Sequence, residues 1–163
     1  MRSNDFKGMA CSIAGALETI GDRWALLILR DLGLGLRRYE DLRRSTDVTN
    51  ATLSDRLKRL EENGLIERRR YQIKPVRYEY VLTAKGGDTI LVIQALAQVG
   101  DKWAVCGNVG PPLKFVDRKT GRGVKLALVD RETGERVRAR ELMPQEGPGA
   151  DDLVRWRLTH FRK

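Results

Sequence analysis

The spacing of apolar residues divides the first hundred positions into helices and one pair of strands. Ile13, Leu17 and Ile20 recur at helical intervals between Cys11 and Gly21, on one face. Asp22 stands where an N-cap belongs, ahead of Arg23–Leu32, whose stripe is Trp24, Leu27, Ile28 and Leu32. Trp24 reads as a core anchor, with a ligand-stacking role as the alternative. The shorter segment Tyr39 to Arg44 sets Tyr39 and Leu42 inward and Arg43 and Arg44 outward. Ser45-Thr46-Asp47 breaks that pattern, Val48 is the expected buried turn residue, and Thr49 is the expected N-cap of the next helix. There Leu53, Leu57 and Leu60 fall at i, i+4 and i+7, so they face the core. Asn63-Gly64 ends the helix as a left-handed cap.

Two strands follow, Leu65 to Tyr71 and Arg77 to Leu82. Between them lies the loop Ile73-Lys74-Pro75-Val76, whose proline bars further ladder pairing. Thr83 caps a long helix over roughly Ala84 to Trp103, with Ile90, Ile93, Ala97, Gly100 and Trp103 near one side. Gly86-Gly87 is expected to weaken its first turn. The expected class is therefore α+β: a winged helix-turn-helix with flanking helices over residues 1–105, plus a small C-terminal β-meander within 106–163. In that second part Gly107 to Pro112 reads as a linker. Asp117-Arg118-Lys119-Thr120-Gly121 then recurs as Asp130-Arg131-Glu132-Thr133-Gly134. Val124, Leu126 and Leu128 alternate as in a strand, with flanking strands expected at Leu113–Val116 and Arg136–Arg140. The tail Asp152–Phe161 fits a helix and a strand equally.

Charge sharpens this outline. The 163 residues carry a formal net charge of +9, which favours an anionic partner. Its placement says more: twelve basic residues, ten Arg and two Lys, lie between Arg37 and Arg77, around the second helix and the wing. No apolar run approaches the ~18 residues of a membrane span, and MRSNDFKGMACS lacks the apolar centre of a secretory signal. A cytoplasmic protein with no membrane partner is expected. Two cysteines, Cys11 and Cys106, and one histidine give neither a disulfide framework nor a ligand set, so no metal and no cofactor are expected. No hydroxyl, imidazole and carboxylate group together, so the chain does not read as an enzyme.

The expected partner is double-stranded DNA. Thr49 and Asn50 open the second helix, and its outward face carries Ala51, Thr52, Asp55, Lys58 and Arg59. Asn suits adenine, Thr or Ala a thymine methyl, and Asp the cytosine amino group, while Lys58 and Arg59 suit phosphates. Arg68, Arg69, Arg70, Lys74 and Arg77 load the wing. Alternation sets Arg68 and Arg70 on the face opposite Arg69, and Arg77 is the candidate for minor-groove insertion. Two rival readings use the same fold: a protein-docking or dimerisation module, and a nucleic-acid binder without sequence preference. Promoter DNA competed against bulk DNA separates them.

Taken together these motifs resemble the HxlR-type regulators, a branch of the winged-helix repressors related to the MarR group. The resemblance rests on Cys11, Leu17, Ile20-Gly21, Trp24, Leu26-Leu27-Ile28-Leu29, Tyr39, Leu42, Leu53-Ser54 and Arg56-Leu57. Gly64-Leu65-Ile66, Pro75, Arg77, Glu79-Tyr80 and Leu82-Thr83 complete it. It covers roughly Cys11 to Trp103 and implies a sequence-specific repressor, a homodimer joined through its first and last helices on an inverted-repeat operator. Some relatives use the early cysteine as a redox or electrophile sensor, which makes Cys11 and Cys106 candidate redox residues and leaves a small-molecule or oxidant effector open. The chain departs from the pattern at Ser12, where the family usually has proline, and at Ala51, where a basic residue is common. Longer relatives carry a cysteine-rich ribbon, and the repeated turns here resemble zinc knuckles without their cysteines. The extension is expected to be metal-free and dispensable for operator recognition.

Overall fold

Leu53, Leu57 and Leu60 form the spine of a core that also takes in Ile20, Ala25, Ile28, Leu29, Leu32, Leu42, Val48, Leu65 and Ile66. Leu53, Leu57 and Leu60 are each at most 2% exposed, which stabilises the fold by roughly 1.5–3 kcal/mol per side chain. The computed structural model describes residues 6, 8–105, 107 and 109–161. Their order is α1 (Ser12–Ile20), α2 (Arg23–Gly33), α3 (Tyr39–Thr46), α4 (Asn50–Glu62), β1 (Ile66–Gln72), β2 (Arg77–Leu82) and α5 (Ala84–Lys102). The extension adds β3 (Leu128–Val129), β4 (Arg136–Val137), a 3-10 turn (Ala139–Glu141) and α6 (Asp152–Phe161).

The caps fall where the side chains place them. Asp22 accepts from the amides of Trp24 and Ala25, Thr49 from Thr52, and Thr83 from Gly86. α4 ends in a paired motif: Gly64 takes φ +68° and donates to Glu61, while Leu65 donates to the Leu60 carbonyl. Leu65 is thereby part of the cap, and the strand starts one residue later than the pattern predicts.

Three expectations need correction inside this unit. Ser45 and Thr46 do not break α3: Thr46 is buried and its hydroxyl donates to the Leu42 carbonyl, so the helix stops only at Asp47, which takes φ +52°. The buried stripe of α2 shifts to Ala25, Ile28, Leu29 and Leu32, with Leu27 half-buried. Gly86 does not merely weaken α5. It is buried against the β1 entry, where a Cβ would lie 1.9 Å from the Leu65 carbonyl oxygen.

The wing is an antiparallel pair with Arg68 opposite Tyr80, Arg69 opposite Glu79 and Arg70 opposite Tyr78. The register then slips at Tyr71, a bulge that brings Gln72 opposite Arg77. Lys74, Pro75 and Val76 form the exposed tip.

The three-stranded meander reduces to less. β3 and β4 make a two-stranded hairpin, and Val116 with Gly123 makes one isolated bridge. The two sequence repeats do fold alike. Asp117 accepts from the amides of Lys119 and Thr120, Asp130 from those of Glu132 and Thr133, and Gly121 and Gly134 both take positive φ. The turns are local, and Leu113, Val116, Val124, Leu128 and Val129 stay exposed, so no buried face recruits a third strand. Gln98 of α5 holds the segment instead, accepting from the Leu126 amide and donating to its carbonyl. The tail resolves as helix: Asp151 caps it by accepting from the Val154 amide.

Candidate nucleic-acid interface

α2, α3 and α4 pack around Leu42, Val48 and Leu53, which presents the first turns of α4 at the surface. The Asp22 carboxylate couples α2 to α4: its Oδ1 accepts the α2 cap bonds and lies 2.8 Å from Arg56 Nε. Burial pushes the Asp22 carboxyl upward, but Arg56 and the amides of Ala25 and Trp24 outweigh it and hold it below the usual carboxylate range. Arg56 also pairs with Asp55, and Asp55 with Arg59 at 3.2 Å. The chain Asp22–Arg56–Asp55–Arg59 runs along one flank of α4.

That network separates the residues expected to read DNA. Asp55 and Arg59 are engaged with each other, and Thr52 is half-buried with its hydroxyl 3.0 Å from the Thr49 cap oxygen. Asn50, Ala51 and Lys58 remain exposed, Lys58 being only 3.7 Å from Glu62. Ser54 joins them. Its helical angle lies off the centre of the outward face, yet it is exposed and its Oγ is 3.1 Å from the Tyr39 hydroxyl.

The wing divides its cations between two faces. On one, Arg68 stacks over the Tyr78 ring at 4.7 Å and lines a cleft with Ser54, Lys58, Glu61 and Tyr80. Arg70, opposite Tyr78, shares that face. The other face carries Arg69, paired with Glu67, and Glu79, which Arg37 approaches at 3.9 Å. Among the described residues, Arg44, Arg70, Lys74 and Arg77 have no carboxylate within ion-pair distance, whereas Arg59 and Arg69 do. Around α4 and the wing, uncompensated charge therefore lies at both ends of α3, with Arg38 and Arg44, and along the outer half of the wing.

Cys11 precedes α1 as its N-cap residue, half-exposed and with no side-chain cap bond. Cys106 lies outside the described residues. Among those residues no group of three or more His, Cys, Asp or Glu side chains is placed to hold a metal ion. No described helix is long and apolar enough to cross a membrane.

A capped helix presented beside a basic two-stranded wing defines a winged helix-turn-helix, a DNA-binding class. Residues 19–107 match the HxlR-like helix-turn-helix family, and the chain belongs to it. Over 147 residues it is 40% identical to an uncharacterised HTH-type transcriptional regulator of Mycobacterium tuberculosis, spanning 90% of this chain and 91% of that one. That alignment reaches well into the extension. Among solved structures, the candidate transcription factor PA1374 from Pseudomonas aeruginosa is similar at 38% identity and a TM-score of 0.61, covering 91% of this chain and all of that one. The candidate transcription factor PA1607 has 27% identity and a TM-score of 0.73, covering 86% and 98%. The protein is thus a DNA-binding regulator of the HxlR-like family.

Proposed function

We propose that two copies of the chain bind an inverted-repeat operator and repress the adjacent promoter by occupying it. One observation carries the dimer. α1 leaves Ile13 and Leu17 exposed at 71% and 47%, and α5 leaves Val92, Leu96 and Val99 exposed along one side, continued by Trp103 just past its end. α5 packs on α2 with one face and is held to the extension through Gln98 on another, so this apolar side is what remains for a second protomer. A two-fold pairing there presents two α4 helices, which suits half-sites about one helical turn, roughly 10 bp, apart.

Within each protomer Asn50, Ala51, Thr52 and Lys58, capped by Thr49, address the major groove. Asp55 and Arg59 set the flank of the helix. Arg68, Arg70, Lys74 and Arg77 address the backbone, with Arg77 reaching the minor groove, while Arg69 lies on the opposite face of the wing. Operator occupancy alone excludes polymerase, which is why repression needs no further contact. Footprinting on the DNA flanking the coding region, with sedimentation of the complex, tests the proposal. Two protected half-sites bound by two chains are expected, and a single half-site bound by a monomer overturns it.

A further inference from the structure

The polar end of α4 carries a second-level assignment that rests on the DNA-reading role proposed above. The Tyr39 ring packs against the core, yet its hydroxyl emerges beside the first turn of α4. There it donates to the Asn50 carbonyl at 3.0 Å, lies 3.1 Å from Ser54 Oγ, and is 3.4 Å from Asn50 Oδ1. A phenol has one proton to give, and a carbonyl has none. The Asn50 carbonyl is the shortest of the three contacts and can only accept; with the phenol proton assigned there, Ser54 is the donor between the two hydroxyls.

That assignment sets what Ser54 offers outward. A free serine hydroxyl rotates and serves a base as donor or acceptor. Once its proton points back to Tyr39, Ser54 Oγ presents only lone pairs to the groove. Those fit the amino groups of adenine N6 or cytosine N4, and they repel the acceptors of guanine O6 and thymine O4. We propose that Tyr39 is a positioning residue that fixes the rotamer and proton of Ser54, making Ser54 an acceptor-only specificity determinant for adenine or cytosine. The residue sits in α3 and reads nothing itself; it acts through α4.

The test uses the full-length protein and a library of DNA randomised across one half-site, with binding measured base by base and at several salt concentrations. Wild type should prefer adenine or cytosine at one position by about 5- to 10-fold, the low end of what a base contact discriminates. Tyr39→Phe keeps the ring and loses the hydroxyl. It should flatten that one position while leaving the other positions, the salt slope and the melting temperature close to wild type. Ser54→Ala should flatten the same position, and the double variant should be no flatter than Ser54→Ala. Retained preference in Tyr39→Phe overturns the assignment alone. So does an equal loss on all sequences with a reduced salt slope, which marks a phosphate contact. Wild-type protein that selects no sequence overturns the DNA-reading role and this assignment with it.

Discussion

Gly86 passes so close to Leu65 that a β-carbon on it would sit 1.9 Å from the Leu65 carbonyl oxygen. The approach lets the Thr83 amide donate to that oxygen at 3.0 Å and the Thr83 hydroxyl donate to Gly64 at 2.7 Å. The end of α4 is thereby joined to the start of α5. Gly86→Ala should destabilise by at least about 1–3 kcal/mol, the cost of overpacking a filled site. Gly87 meets nothing within 4 Å, so Gly87→Ala should stabilise by about 0.5–1 kcal/mol through helix propensity. Urea denaturation of both variants checks the contrast, and effects of the same sign would refute it.

Asp22 predicts a pH dependence. Its carboxyl is held below the ordinary value, so its contribution is present above the unfolded pKa, about 4, and fades as pH falls through the lower folded value. Asp22→Asn keeps a good N-cap while removing the charge that faces Arg56. It should cost about 0.2–1 kcal/mol at pH 7, in keeping with a partly exposed pair. The gap to wild type should narrow below about pH 4. Thermal melts across pH 3–7 (a range set by that value) are the measurement.

The wing arginines should not behave alike. Arg70 and Arg77 have no carboxylate within ion-pair distance among the described residues, while Arg69 pairs with Glu67. Replacing Arg70 or Arg77 with alanine should lower the log–log salt slope of binding by about 0.9 each, with base preferences unchanged. Arg69→Ala should change the slope less, because the cation is already compensated. Electrophoretic titrations at several salt concentrations measure all three.

Gln98 links α5 to the extension by two bonds to Leu126. Gln98→Ala should speed hydrogen exchange at the Leu126 amide and loosen the segment around it. Selection of the operator sequence should stay as in wild type, since Asn50, Ser54 and the wing are untouched. A changed base preference would place the extension in recognition after all.

Local chemistry was legible from residues alone. Asp22, Thr49 and Thr83 are caps because a side-chain oxygen two or three residues ahead of free amides has one obvious use. Leu53, Leu57 and Leu60 are buried because their spacing leaves no other face for the core. The repeated turns are legible for the same reason, since Asp117 and Asp130 each bond within their own turn.

What lay beyond the sequence depends on partners distant along the chain. Thr46 reads as a breaker until burial and the Leu42 carbonyl make it helical. The third strand fails because alternation at Leu126 describes a strand only where a neighbour supplies the ladder, and Gln98 supplies a single side chain instead. On a helical wheel Asp55 faces bases and Arg59 phosphates; only the fold adds that both join the ion-pair network anchored at Asp22 along the flank. The contact between Ser54 and Tyr39, fifteen residues apart, exists only in the fold. Periodicity ranks residues by direction from a helix axis; which polar groups remain available to DNA is decided by where the rest of the chain puts its own donors and acceptors.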